Sequence, residues 1–534
     1  MFPLSRALAG ALGLRERWPH VRRDSSCIHR HIPPLQWVRT MTAAGGGVLR
    51  RSIYLSLAGQ WSSAVVSVVA SVLVARMMQP GELGVFTVTM ALANVLATIQ
   101  SVGAQEYLLY TPEITLATRR TALGLSIATG VLLAVLLVAF SPVAVHFYGN
   151  PGMQSVLLVL ALNTLVAIVA SPVASMLGRE QRFDLVALFA TVTNVVTSVM
   201  QVVLTWLGFS YLGLAWAMVV GTGLSAMLHL LCVRRHVLFR PSFRNVGPLL
   251  RFGGKLLGVN MMNQINGNSP QIMIGALTGL GDAALYGRAN TITQIYAQTV
   301  SRAIDPIING RLAAEGRSGQ SSAASLRKSS EALLIISLPF FGFMGLYAHI
   351  LVPLVFGPQW IAAVPAMRAL CGGFFVWPLI SPTAAALLAA GRAGLLFRIG
   401  VVNTIARIAL VILLSPLGLT WIAIGVSLSI YVNLLQSLVA LRSAAGLSMR
   451  EYGRGIAGSA VSSALVVSVS GLALLLLEGR SAGPWTCLTV GGGAAAIAWL
   501  AVIRGTRHLL WDELMRGHSA LIEALRARRM AQGL

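Results

Sequence analysis

Apolar runs, each of about twenty residues, recur along the chain from residue 53 to residue 503 and are separated by short polar connections. Their length and spacing predict an all-α polytopic membrane protein with about fourteen spanning helices. These are 53–75, 83–109, 120–140, 153–176, 184–207, 211–233, 256–278, 284–308, 331–355, 362–388, 398–415, 420–441, 456–477 and 484–503. Connections on one side are brief: "QPGE", "HFYGNPGM", "GFSY", "GLGDA", "FGPQW" and "PLGL". Those on the other side carry the cations, among them Arg119, Arg120, Arg179, Arg182, Arg234, Arg235, Arg240, Arg244, Arg311, Arg317, Arg327, Lys328, Arg392, Arg442, Arg450 and Arg454. Excess Lys and Arg marks the cytoplasmic face, so the pattern predicts both termini in the cytoplasm.

Within this apolar frame, three segments carry polar stripes. The stretch "NMMNQINGNSPQIMIG" (260–275) interrupts a span with amides. At about 100° per residue, Asn260, Asn263, Gln264, Gly267, Asn268 and Gln271 share one sector. In 284–308, Asn290, Gln294, Gln298, Ser301 and Asp305 follow a helical spacing, and in 83–109 Thr87, Asn94, Thr98, Ser101 and Gln105 do the same. Amides in hydrocarbon need partners or water. Interhelical hydrogen bonding explains one or two of them, whereas whole stripes predict a water-filled cavity. Gly267 and Pro270 interrupt the first stripe and mark a hinge, because proline removes a backbone donor.

A weak internal repeat organises these segments. Residues 79–110 align without gaps on 279–310, placing Gly81 on Gly281, Glu82 on Asp282, Phe86 on Tyr286 and Ser101 on Ser301. Residues 207–221 similarly resemble 417–431. The reading that follows is an N-lobe over 51–233, a cytoplasmic linker over 234–255, a C-lobe over 256–441, two appended helices within 442–505, and a basic cytoplasmic tail over 506–534. Two six-helix halves repeated in parallel place a substrate between them. Residues 1–50 hold several arginines and no run long enough for a signal peptide. They read as a disordered or spurious extension, with Met41 as a candidate start.

Of the 534 residues 56% are hydrophobic and 10% charged, far below the roughly 25% charged of soluble domains. The net charge of +24 is almost all arginine, and the loop bias accounts for it without nucleic acid. Four scattered cysteines have no metal-type spacing, and neither a nucleotide loop nor a nucleophile constellation is present, so no cofactor, metal or catalytic residue is implied. Charges inside the spans are few: Arg407 in mid-span, Arg368 and Arg288 nearer span ends, an Arg302/Asp305 pair spaced to meet, and Glu106. Arginines among amides suit an anionic, sugar-bearing ligand, since guanidinium binds phosphate in a bidentate manner and amides bond hydroxyls.

The segments "ARMMQPGELGVFTVTMAL" (75–92), "GREQRFDLVALFATVTNVV" (178–196) and "IGALTGLGDAALYGRANTI" (274–292) resemble motifs of bacterial polysaccharide flippases, within the multidrug/oligosaccharidyl-lipid/polysaccharide exporter superfamily. The resemblance spans about residues 50–505 and implies two lobes forming a V. It also implies translocation of undecaprenyl-diphosphate-linked oligosaccharide across the inner membrane for O-antigen, capsule or exopolysaccharide synthesis. Its implied partners are the lipid-linked oligosaccharide, membrane lipids, a polysaccharide polymerase and glycosyltransferases. The acid this family often places before the "IG" is here Asn268-Ser269-Pro270-Gln271. A cation-coupled multidrug antiporter, a lipid II flippase and a membrane glycosyltransferase are the competing expectations. The substrate cavity is expected to include Arg407, Arg368, Arg288, Asn260, Gln264, Asn268, Gln271, Asn290, Gln294, Gln298, Asn94 and Thr98.

Overall fold

The computed structural model describes residues 46–101, 116–179, 183–232, 241–243, 246–317, 323–446 and 448–505. The expected extension over 1–40, Gln105, Glu106, Arg182 and the tail 506–534 lie outside them. Two units divide the chain, Met1–Leu55 and Ser56–Leu534. In the first, the described residues are helical.

The predicted segments are helical over most of their described residues, with 331–355 interrupted at Tyr347 and 362–388 in pieces. In chain order the elements are α1 (Gly46–Met77), α2 (Pro80–Ala97), α3 (Leu116–Tyr148), α4 (Gly152–Arg179), α5 (Phe183–Leu204), α6 (Ser210–Cys232), α7 (Val246–Leu277), α8 (Leu280–Tyr296) and α9 (Arg302–Arg317). They continue as α10 (Ala323–Leu346), α11 (Ala348–Val355), α12 (Val364–Phe374), α13 (Trp377–Ile380), α14 (Thr383–Ala389), α15 (Ala393–Leu414), α16 (Leu419–Ala445), α17 (Met449–Glu478) and α18 (Pro484–Gly505). Among the described residues, nine stretches are long and apolar enough to cross a membrane, one of which, Leu185–Leu231, holds both α5 and α6. α7 and α8 are not among them, because the amide stripes lower their hydropathy.

Three details depart from the expected boundaries. α7 begins at Val246, so part of the expected linker 234–255 is helix. The expected helix 362–388 is divided into a 3₁₀ turn and α12, α13 and α14. Pro378 and Pro382 lie at its breaks and cannot supply the backbone donors a continuous helix needs. α8 runs into α9 through a π-helical turn over Ala297–Ser301, within the polar stripe.

The ends of the bundle differ. At one end the helices reverse through residues with positive φ, Gly149, Gly208, Gly279, Gly357, Gly418 and Ser481, whereas at the other such residues are fewer, Gly391 and Gly446 among those described. Glycine adopts that backbone without a Cβ clash, which permits the brief connections seen in the sequence. The α1–α2 reversal instead uses Pro80 in the first turn and the Glu82 carboxylate, which accepts from the Gln79 N–H. The largest buried cluster lies at this turn end and joins both parts of the chain, with Met78, Leu83, Val88, Met153 and Leu157 packed together with Ile274, Ala283, Tyr286, Phe356 and Trp360. Away from it, among the described residues, the buried clusters stay within one part, Leu177/Leu185/Phe189 in one and Ile308/Leu312/Leu326/Leu441/Tyr452 in the other.

Hydrogen bonds repeat this asymmetry. Arg76 at the end of α1 donates to the carbonyls of Leu354 and Val355 at the end of α11, where unpaired carbonyls and the helix dipole favour a cation. The Trp360 indole and the Gln359 amide both donate to Ala75 O, at 2.8 and 3.0 Å. Tyr148 Oη donates to Ile272 O at 3.1 Å. Among the described residues, the hydrogen bonds joining 56–232 to 246–505 cluster at this end. Here too Gly81 and Gly281, the pair expected to correspond in the sequence alignment, approach each other.

Candidate functional site: a polar cavity around Arg288

α2, α7 and α8 enclose a cavity of about 350 Å³ next to the joined end. Thr87 and Asn94 enter it from α2, Gly267, Asn268 and Gln271 from α7, and Arg288, Asn290 and Gln294 from α8. The helical spacing read from the sequence therefore brings six of the expected residues together: Asn94, Asn268, Gln271, Arg288, Asn290 and Gln294. Gln294 also lines a second cavity of about 390 Å³, with Ser67 and Ser71 of α1, Thr291 and Gln298. Ser67 in turn borders a third, of about 500 Å³, lined by Thr193, Asn194, Thr197 and Gln201 of α5 and His229 of α6.

Arg288 holds the closed end of this series. Its Nη1 donates to Ser71 Oγ at 2.7 Å, and its guanidinium lies over the rings of Phe356 at 5.4 Å and Trp360 at 5.3 Å. Both ring faces attract a cation, more strongly where water is excluded. Its Nε is buried without a hydrogen-bond partner. Among the described residues it makes no ion pair, so a hydroxyl and two quadrupoles hold a full positive charge. An anion entering the cavity would meet a cation that is not neutralised.

The amides differ in freedom. Gln271 Nε2 donates to Ala283 O at 2.7 Å, tying α7 to α8. Asn268 Nδ2 donates to the Gln264 carbonyl at 2.9 Å and lies 3.3 Å from Gln264 Oε1, so these two stripe residues sit on one exposed face. Asn290 Oδ1 accepts from Thr293 at 2.6 Å. Gln294 and Gln298 are exposed towards the cavity series.

The remaining expected residues are placed elsewhere. Arg407 is buried, and its Nε donates to Ser429 Oγ at 3.0 Å and its Nη1 to Asn266 O at 2.8 Å. Arg368 is exposed; its Nε donates to Gly345 O and its Nη2 lies 3.1 Å from His349 Nδ1, far along the chain from the stripes. Thr98 is buried, its hydroxyl directed at Asn94 O. Asn260 lies on α7, one turn from Gln264, and lines none of these three cavities. Asp305 accepts from Ser381 Oγ at 3.0 Å, and the Arg302 side chain lies outside the described residues. Sequence reasoning missed Ser67 and Ser71, which are four residues apart on α1, and the α5 hydroxyls. Serine and threonine are common in apolar helices and stand out only through that spacing.

Comparison with known proteins bears on this architecture. TuaB, a teichuronic acid biosynthesis protein of Bacillus subtilis (strain 168), is 24% identical over 279 residues, 52% of this chain. WzxC, a lipopolysaccharide biosynthesis protein of Escherichia coli (strain K12), is 22% identical over 399 residues, 72% of this chain. ExoT, a succinoglycan biosynthesis transport protein of Rhizobium meliloti (strain 1021), is 23% identical over 314 residues, 58% of this chain. The matches span 58% of the length of TuaB, 60% of ExoT and 80% of WzxC. Among solved structures, the lipid II flippase MurJ in an inward closed conformation superposes with a TM-score of 0.69 at 11% identity, over 86% of this chain and 100% of MurJ. An inward-facing multidrug resistance transporter of the MATE family superposes with a TM-score of 0.57 at 17% identity, over 75% of this chain and 98% of that one. These likenesses establish the fold of an all-helical, multi-pass membrane protein. A sequence profile of polysaccharide biosynthesis proteins matches residues 73–365, more than half of the chain, and this chain belongs to that family.

Proposed function

We propose that this chain is a flippase, moving an oligosaccharide linked to a lipid diphosphate across the bacterial inner membrane by alternating access, in the synthesis of a surface polysaccharide. Translocation makes and breaks no bond, so the role requires no catalytic group. The observation that carries the reading is the cavity of α2, α7 and α8, in which Arg288 faces amides and hydroxyls. Guanidinium and amides together fit a diphosphate followed by sugars. Among the described residues, the cavity lining contains no Asp or Glu, which fits a cationic drug exchanged for a proton poorly. The relatives named for lipopolysaccharide, succinoglycan and teichuronic acid synthesis support the same substrate class. The two halves, 51–233 and 256–441, would rock about the joined end, with α17 and α18 outside the repeat. With the arginine-bearing connections in the cytoplasm, the joined end faces outward and the cavity series opens inward. Enzymes that assemble and polymerise the repeat unit are the expected partners.

Complementation of a flippase-deficient strain, with membrane abundance measured in parallel, tests this. Arg288→Ala is expected to abolish surface polysaccharide at unchanged abundance, while Arg288→Lys keeps the charge and part of the export. Gln294→Leu should reduce export less, because other amides line the same wall. Full export from Arg288→Ala at normal abundance would overturn the assignment of the site.

A further inference from the structure

We infer that Arg407 is a positioning residue that holds α7 together at the break made by Pro270, and does not touch the cargo. In a helix the carbonyl of residue i−4 accepts from the N–H of residue i, and proline has no N–H. Pro270 therefore deprives one carbonyl of its partner, that of Asn266. It is this carbonyl that Arg407 Nη1 reaches from α15, at 2.8 Å. The same guanidinium is steadied by Ser429 Oγ of α16, at 3.0 Å. A side chain from a neighbouring helix thus supplies the donor that the backbone of α7 lacks. Left unpaired, a buried carbonyl is costly, and more so away from water.

The two parts of α7 have different attachments. Before the break, Asn266 is bound by Arg407, and Met262 Sδ lies 3.3 Å from Thr404 Oγ1, so two successive turns of α7 follow α15. After it, Gln271 is bonded to Ala283 O, Ile272 O accepts from Tyr148, and Gly275 packs against Val88. The later part therefore belongs to the joined end, and the earlier part to α15 and α16. Between them lie Gly267 and Asn268, which line the cavity with Gln271 of the later part, and a Cβ at Gly267 would meet nothing within 4 Å. Arg407 fixes where these residues point while leaving α7 free of the rigid backbone bond at the break. That Asn268 and Gln271 meet cargo rests on the flippase reading; the clamp itself does not.

The test pairs Met262→Cys with Thr404→Cys and measures disulfide cross-linking under mild oxidation in membranes, with each single cysteine as control. Arg407→Ala is expected to lower cross-linking several-fold and to lower export. Adding Pro270→Ala restores a backbone N–H to the Asn266 carbonyl, and is expected to return cross-linking towards the level seen with Arg407 in place. Arg407→Lys, whose ammonium still reaches the carbonyl, should keep most of it. If Arg407→Ala lowers membrane abundance, abundance becomes the readout, and the same restoration by Pro270→Ala is expected. Cross-linking unchanged by Arg407→Ala overturns the proposal, as does a loss that Pro270→Ala fails to restore in both cross-linking and abundance. Cross-linking needs no transport, so failure of the flippase reading would show separately, as export unaffected by Arg288→Ala.

Discussion

Gly84 shows how tightly the two parts of the chain meet at the joined end. A Cβ built on it would lie 1.9 Å from the carbonyl oxygen of Leu280, and one on Gly275 would lie 2.7 Å from a methyl of Val88. These are backbone and branched side-chain neighbours that cannot step aside. Gly84→Ala should therefore cost about 1–3 kcal/mol in this conformation, as overpacking does elsewhere. The expected outcome is a shift towards the opposite opening, read as faster labelling of a cysteine at Gln271 by an impermeant maleimide added outside intact cells. Unchanged labelling would show that α2 and α8 part without changing access. At this scale the sequence was only partly legible. Asn268, Gln271, Asn290 and Gln294 declared themselves because amides in an apolar run have few explanations, and their spacing chose the face. Arg407 was conspicuous for its mid-span position, but besides Ser429 its partner is a backbone carbonyl, which no residue type announces. The one visible sign was a proline four residues after Asn266, on a different helix.

Elements were legible where apolar length decides them and less so where proline, glycine or tertiary contacts do. The run 362–388 reads as a helix by hydropathy, yet it is in pieces, because Pro378 and Pro382 withdraw donors that hydropathy does not weigh. α17 and α18 illustrate tertiary control of an element that is apolar throughout. Tyr347, stacked on Phe343 at 4.3 Å, donates its hydroxyl to Ser470 O of α17 at 2.9 Å and rests where a Cβ on Gly491 of α18 would lie 1.9 Å from Oη. Trp499 of α18 donates to Ile335 O of α10 at 2.8 Å. Gly491→Leu should therefore displace α18 from α10 and lower the melting temperature of the purified protein. Tyr347→Phe, which removes only the hydroxyl's bond, should cost about 1 kcal/mol and lower it less. Equal melting temperatures in the two variants would show that α18 is not seated through this glycine.

For the whole molecule, the alternation of brief and arginine-bearing connections predicted which helix ends lie together, and most of the positive-φ residues, though not Gly391 and Gly446, sit in the brief connections. What the alternation could not reveal is that residues 56–232 and 246–505 share one buried cluster there, because that depends on which apolar residues pack against each other rather than against lipid. The topology predicts that cysteines at Leu417 or Phe209 label from outside intact cells, whereas one at Arg392 does not. Gly208 and Gly418 are poorer probes, since their φ values of +88° and +94° strain any side chain placed there. Labelling of Arg392→Cys by an impermeant reagent would break the orientation. The polarity of α7 and α8 has a further consequence, for biogenesis. A segment leaving the ribosome is released into lipid on its own hydropathy, and these two have too little of it among their described residues. The Gln271 amide of α7 bonds to α8, both helices line the cavity with α2, already synthesised, and the Asn266 carbonyl finds its donor on α15, which is still to come. The pair that lines the polar cavity therefore settles into the membrane late, and its insertion is completed by the helices that follow it.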